Sequence, residues 1–412
     1  MSLNALPADT DATALTDASA STDASTDADS ATDASAVTDA AAGRRTLAEL
    51  TTLRLGGPAG RFVETTTEAD LIEAVHGADA AGEPVLVIGG GSNLVVADGG
   101  FPGLVVRDAR RGLEIESADT CGGASVRVPA GEPWDDVVAR AVAEGWIGVE
   151  ALSGIPGSAG AAPVQNIGAY GQELSGVVAS VRVWDRERAR VRTLPLVDLA
   201  FGYRTSVLKR SLTEPGTPWG PTPRYVVLDL GLQMYLGDLS APIGYPELAR
   251  RLGVAVGERA RTPDVRAAVL ELRRGKGMVL DADDPDTWSA GSFFTNPILG
   301  VDQAAALPAH APRYPVQSAQ PARSSGPHTG VAEPGLTKTS AAWLIEHAGF
   351  GRGFGLPGTV GLSTKHSLAL TNRGGGTTDE LLALARVIRA GVQTAFGVVL
   401  EPEPVLVGCA LD

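Results

Sequence analysis

The sequence predicts an α+β fold built from more than one domain, on three observations. Its 412 residues exceed the roughly 100 to 200 usual for a single domain. Short β-rich runs separated by glycine clusters fill the first half. Helical periodicity marks the second half.

Up to about Ala42 the chain cycles Thr-Asp-Ala-Ser almost without large apolar residues, so it cannot offset the entropy cost of ordering. Residues 1–45 are therefore expected to be a disordered acidic tail. Residues 46–236 read as a first module. Within it Glu68 to Ala81 is helical and Val85 to Ile88 is a compact buried strand. Pro133 to Glu144 is helical, with Pro133 in the first turn, where its missing N–H costs little. Val177 to Trp184 and Tyr225 to Leu236 are longer strands. No helix opens directly after the glycines that follow Ile88.

The texture changes over Gly237 to Pro246. A second domain is assigned to 244–396, with helices at Pro263 to Arg274, Thr339 to Ala348 and Thr378 to Ala395. Ala311 to Pro334 is rich in Pro, Ser and Gly without periodicity, which predicts a long surface loop containing an insertion at 316–334. Residues 397–412 read as a C-terminal strand segment.

Lys and Arg number 34 against 48 Asp and Glu, for a formal charge of -14. Eight of the acidic residues (Asp9, Asp11, Asp17, Asp23, Asp27, Asp29, Asp33, Asp39) lie in 1–42 with no basic residue, leaving 34 against 40, or -6, elsewhere. Duplex nucleic acid is excluded as the main partner, because phosphate binding needs a basic surface. Two cysteines, Cys121 and Cys409, make neither a disulfide scaffold nor a paired zinc motif, and point to a reducing cytoplasm. The five histidines (His76, His310, His328, His347, His366) are never spaced i, i+3 or i+4, so no metal is expected. No apolar run approaches the roughly 18 residues of a membrane span. Arg44-Arg45 is followed by polar Thr46 to Thr52, which argues against a secretion signal.

Five segments can carry chemistry. Gly89-Gly90-Gly91-Ser92-Asn93-Leu94 is either an ordinary glycine turn or a run of bare backbone N–H groups that lets a pyrophosphate approach. A dinucleotide fingerprint fails there, since Leu94 stands at the third glycine position. The literal G-x-G-x-x-G, Gly353 to Gly358, follows a helix and contains Pro357, so it is a decoy. Gly154 to Gly160, continuing through Gln165, Asn166 and Gly168 to Gly171, is either scaffolding or the wall of a flat heterocycle. Arg204 in Phe201 to Lys209 and Ser292 in Ser289 to Pro297 each stand beside aromatics: a salt-bridged Arg and a turn-capping Ser, or reactive groups in a partly dry pocket. Glu403, in Glu401-Pro402-Glu403-Pro404, is either exposed at a strand edge or buried with a raised pKa.

In this order, from about Thr51 to Val407, these motifs resemble the UDP-N-acetylenolpyruvoylglucosamine reductase family, in the class with a substrate-closing tyrosine loop. The resemblance implies a two-lobed FAD-binding module of the vanillyl-alcohol-oxidase type, followed by an α+β substrate domain. It implies FAD held at Gly89, Gly90, Gly91, Ser92, Asn93 and Leu94, and along Gly154, Ile155, Gly157, Ser158, Gln165, Asn166 and Gly168. Neither loop contains His, which favours non-covalent FAD. The implied electron donor is NADPH and the implied substrate is UDP-N-acetylglucosamine enolpyruvate, reduced for peptidoglycan synthesis. Arg204 matches the arginine of Gly-Tyr-Arg, Ser292 the serine proton donor of Gly-Ser-Phe-Phe, and Glu403 the second glutamate of Leu-Glu-x-Glu. Tyr203, Tyr245, Lys276, Asn296 and His366 are the implied substrate contacts. Pro404 departs from the family by removing a backbone donor next to Glu403.

Two other readings compete. A sugar-oxidising flavoprotein of the same fold is disfavoured by Ser292 and Glu403 and by the absence of a covalent-flavin His. A non-catalytic sugar-nucleotide sensor predicts missing catalytic residues, yet all three positions are filled.

Overall fold

A computed structural model describes residues 45–213, 219–317 and 332–412. The expected acidic tail, apart from Arg45, and the body of the expected insertion lie outside the described residues. Val85–Ile88 is a strand as predicted. It pairs in parallel with Phe101–Asp108, which pairs in parallel with Ala59–Thr65. Helix Glu68–Ala81 covers this sheet. Its start is capped by Thr67, whose hydroxyl accepts the Asp70 N–H at 3.1 Å, and its end by Gly82 at φ 66°. Leu71, Val75 and Ala78, at helical spacing, pack on Val85, Leu104 and Val106.

A larger antiparallel sheet runs in the order Arg190–Pro195, Val178–Asp185, Tyr225–Leu236, Gly123–Pro129, Glu114–Asp119. Alternate residues such as Val181, Val183, Leu230, Leu232, Val126 and Val128 point into its core. Helix Trp134–Ala143 fills that core with Trp134, Val137, Val138 and Ala141. Pro133 is the capping residue just outside this helix, at φ -57°, one step earlier than predicted. The two sheets are joined through a charged cluster: Arg182 engages Glu68 and Asp229, and Arg110 binds Asp108 at 2.7 Å.

Helices Thr262–Gly275, Ala341–His347 and Thr378–Phe396 form close to their predicted positions. The last opens on a full capping box between Thr377 and Glu380, a device worth about 1 kcal/mol. Its buried face, with Leu381, Ala385, Ile388 and Val392, shares one core with Phe293 and Phe294 and with Leu53, Leu55 and Val95 from far earlier in the chain. The C-terminal segment also returns to the first module, because Val405–Val407 pairs in parallel with Leu94–Val96. This pairing sets Glu403 beside the glycine loop.

The loop expected over Ala311 to Pro334 is corrected at both ends. Tyr314–Gln317 and Ala332–Lys338 are antiparallel strands, and the latter also pairs with Ile298–Leu299. Pro315 misled the compositional reading; it sits on an edge strand, where a missing N–H is tolerated. Among the described residues no helix is long and apolar enough to cross a membrane.

Candidate active site

A single cleft collects the motifs. Gly89 to Leu94 line it together with Ile155, Gly157, Ser158, Gln165 and Gly168, and with Arg204, Ser292 and Glu403. The glycines are required by contact between the two loops. A Cβ on Gly89 would lie 2.2 Å from Ser158 Oγ, and one on Gly90 2.8 Å from Gly157 Cα. Gly91 combines φ +61° with backbone 1.9 Å from where its Cβ would stand, at the Leu50 carbonyl. Among the described residues, no protein group accepts from the backbone N–H groups of Gly89 to Asn93. Such a side-chain-free row of free donors fits a pyrophosphate. Gly91→Ala is therefore expected to destabilise the protein by at least about 1–3 kcal/mol and to strip it of flavin. Thermal unfolding and flavin absorbance after gel filtration check this; a variant that keeps both would contradict it.

Side chains lock the two loops together. Ser92 donates to the Pro156 carbonyl at 2.8 Å, and Asn93 donates to Gln165 Oε1 at 3.0 Å. Gly154 and Asn166 do not line the cleft. Gly154, at φ +70°, donates its N–H to Asp135 at 2.6 Å and packs against Leu270 and Val279. Asn166 is fully buried; its amide donates to Glu173 at 2.8 Å and to the Gly202 carbonyl, and accepts from Ser175 N–H. Both tie the loop to its surroundings, and the cleft wall is formed by their neighbours Ile155, Gly157, Ser158, Gln165 and Gly168.

The catalytic candidates meet from three parts of the chain. A tight turn, with Gly202 and Thr205 bonded to each other, carries Arg204 at φ 52°. Asn166 and Tyr170 are also left-handed, at φ 46° and 49°, so backbone strain gathers around this site. Arg204 Nε lies 3.0 Å from Glu403 Oε1, and its Nη2 donates to the Gly168 carbonyl at 2.8 Å. Glu403 is placed by main-chain pairing: its N–H donates to the Phe293 carbonyl at 2.9 Å, while Thr295 N–H donates to the Glu401 carbonyl at 3.0 Å. That pairing sets Ser292, the residue before Phe293, on the same wall. Among the described residues the Ser292 hydroxyl has no hydrogen-bond partner. Glu401 faces solvent, whereas burial pushes the Glu403 carboxyl pKa up, opposed by the charges of Arg204 and Lys209. Pro404 leaves the Glu403–Arg204 contact intact.

Two cations on the wall were not singled out in the sequence, although Lys209 ends the Phe201 to Lys209 segment. Lys209 reaches Gln165 Oε1 at 3.4 Å and the Glu403 carbonyl at 3.3 Å. Arg273 donates to the Met278 carbonyl at 2.8 Å, yet its Nε is sealed from solvent with no partner among the described residues. Desolvation lowers the pKa of Arg273 to about 10. The only local signal for Lys209 was its place five residues after Arg204; Arg273 had none beyond its neighbour Lys276.

The expected substrate contacts fall outside the cleft lining and form two groups. Tyr245 stacks edge-on against Tyr170 at 5.4 Å, and Lys276 lies 5.6 Å from the Tyr170 ring while paired with Glu247 at 2.6 Å. His366 is held neutral, its pKa lowered to about 4 by burial and then by Lys276. In the other group, the Tyr203 hydroxyl accepts from Asn296 N–H at 3.4 Å, and the Lys338 ammonium sits 4.3 Å over the Tyr203 ring. Asn296 Oδ1 accepts the Ala341 N–H at 2.9 Å, at the start of helix Ala341–His347.

Comparison with known proteins agrees with this geometry. Residues 59–194 match the family model described as FAD binding domain, and residues 283–407 match that of the UDP-N-acetylenolpyruvoylglucosamine reductase C-terminal domain. The chain is 52% identical over 369 residues to the UDP-N-acetylenolpyruvoylglucosamine reductase of Thermobifida fusca, covering 89% of this chain and 97% of the relative. It is 50% identical over 367 residues to that of Cutibacterium acnes, covering 89% and 90%. The crystal structure of the Thermus caldophilus reductase superposes with a TM-score of 0.56 at 25% identity, over 89% of this chain and 98% of that one. The α+β fold with an FAD-binding module thus stands as the sequence implied. The chain belongs to the UDP-N-acetylenolpyruvoylglucosamine reductase family.

Proposed function

We propose that the protein is a cytoplasmic, NADPH-dependent reductase that converts UDP-N-acetylglucosamine enolpyruvate to UDP-N-acetylmuramate for peptidoglycan synthesis. The observation that carries this reading is the meeting of Arg204, Glu403 and Ser292 on one wall of a glycine-lined cleft. Gly89 to Asn93 would hold the pyrophosphate of FAD, and Ile155, Gly157, Ser158, Gln165 and Gly168 would face its flavin. No His or Cys lines the cleft among the described residues, in keeping with non-covalent FAD. When bound, FAD would supply the hydride transfer that links NADPH oxidation to reduction of the enol ether at its terminal carbon.

The chain's own residues handle the charge and the proton. Addition at the terminal carbon leaves enolate charge beside the substrate carboxylate. Arg204 is a fixed cation with two of its five N–H donors engaged by Glu403 and Gly168, and the other three, without a partner among the described residues, can meet that carboxylate. When protonated, Glu403 can donate a second hydrogen bond, and burial raises its pKa in that direction against the charges of Arg204 and Lys209. Ser292 then gives its hydroxyl proton to the carbon bearing the ether oxygen. Lys276 suits the diphosphate as a compact point charge, and must loosen from Glu247 to reach it. Tyr245, with neutral His366 and the Asn296 amide, would complete the sugar-nucleotide contacts.

In steady state, NADPH consumption should require the enolpyruvyl sugar nucleotide and yield UDP-N-acetylmuramate in equal amount. NADPH oxidation that follows dissolved oxygen and ignores the sugar nucleotide would overturn the reading and favour an oxidase.

A further inference from the structure

We propose that Lys209 is a positioning residue of this reductase, tying Glu403 to the Gln165 wall and acting on the reaction through the Glu403 carboxyl. The proposal rests on the role given to Glu403 above. Lys209 is carried by helix Val207–Thr213, whose start is fixed to the second loop: Ser206 donates to the Val164 carbonyl at 2.6 Å and accepts the N–H groups of Leu208 and Lys209. The ammonium is thereby delivered between two acceptors, Gln165 Oε1 at 3.4 Å and the Glu403 carbonyl at 3.3 Å. Gln165 Oε1 also accepts from Asn93, so one lysine connects the glycine loop, the second loop and the C-terminal segment.

An ordinary structural lysine would be matched to a carboxylate at short range. Lys209 has no such ion pair among the described residues, and both of its contacts are longer than the usual 2.7–3.2 Å. Burial lowers its pKa, the Glu403 charge opposes that fall, and Arg204 adds to it. Its charge therefore acts on Glu403 across a largely buried wall, where Coulomb interactions are stronger than in bulk water. Glu403 faces Arg204 from the Gly-Tyr-Arg turn and Lys209 from the helix. The Tyr203 phenol is also near, and burial raises its pKa, which keeps it neutral.

The sign of the effect follows. Lys209 favours the carboxylate form of Glu403, so removing its charge should keep Glu403 protonated to higher pH. The test is the anaerobic oxidation of reduced holoenzyme by the enolpyruvyl sugar nucleotide, followed across pH in wild type, K209M, K209R and E403Q. The rate should fall on the alkaline side as Glu403 ionises, and E403Q should abolish that fall. In K209M the fall should move up by about one pH unit, the scale of a single nearby charge, and the plateau rate should drop about tenfold. K209R should restore the wild-type profile. If K209M loses FAD, K209Q poses the same question with an uncharged donor. An alkaline fall that survives in E403Q overturns the reading of Glu403 and the proposal with it. A fall that vanishes in E403Q but stays unmoved in K209M and K209Q overturns the role of Lys209 alone.

Discussion

Ser292→Ala leaves flavin reduction by NADPH in place and slows the sugar-nucleotide half-reaction by about 10²–10⁴-fold, the usual range for a lost general acid. Its hydroxyl is spared from internal hydrogen bonding, so its removal leaves no buried partner behind. The surrounding backbone does not depend on it. Phe293 and Phe294, each 1% exposed, anchor the segment in the core, and Phe293 exchanges main-chain bonds with Leu368 and Glu403. The fold and the Arg204–Glu403 contact should therefore survive. Stopped-flow absorbance, with the two half-reactions followed separately, distinguishes the outcomes. Equal loss in both would mean damage to the cleft, and no loss in either would remove Ser292 from the mechanism.

Arg204→Met has the second large effect, a loss of about 10²–10³-fold in the sugar half-reaction, as for other fixed donors aimed at developing charge. The substitution also removes the cation that most opposes protonation of Glu403. Glu403 should then stay neutral over a wider pH range, yet the rate should not recover, because the carboxylate of the enolate loses its main counterion. Arg204→Lys should recover little, since an ammonium cannot reach Glu403, the Gly168 carbonyl and substrate at once. The left-handed backbone at this position is the same for Met, Lys and Arg, so none of these changes relieves or adds strain there. Kinetics of both half-reactions in the two variants check this, and a Lys variant at wild-type rate would contradict it.

Local pattern carried much of the fold into the sequence. Helix Glu68–Ala81 and strands Val85–Ile88 and Tyr225–Leu236 were legible because period, caps and apolar runs all agree there. Pattern failed where pairing decides: Tyr314–Gln317 and Ala332–Lys338 are strands because they find each other, despite Pro315. In the site, Arg204, Ser292 and Glu403 were readable through ordered motifs. Asn166 and Gly154 were read as cofactor contacts through the resemblance carried by their glycine-rich loop, but neither lines the cleft: Gly154 N–H binds Asp135 of helix Trp134–Ala143, and the Asn166 amide binds Glu173 and the Gly202 carbonyl. Lys209 and Arg273 were missed for the opposite reason. Each lies on an ordinary helix and reaches the cleft wall only when that helix docks against a distant loop, which no local window reports.

The most direct measurement is anaerobic mixing of NADPH-reduced holoenzyme with UDP-N-acetylglucosamine enolpyruvate, following the flavin absorbance and the sugar product together. Oxidised flavin should return without oxygen as UDP-N-acetylmuramate forms in equal amount. Flavin that stays reduced until oxygen is admitted, with the sugar nucleotide recovered unchanged, would contradict the assignment of Arg204, Glu403 and Ser292 to enol ether reduction.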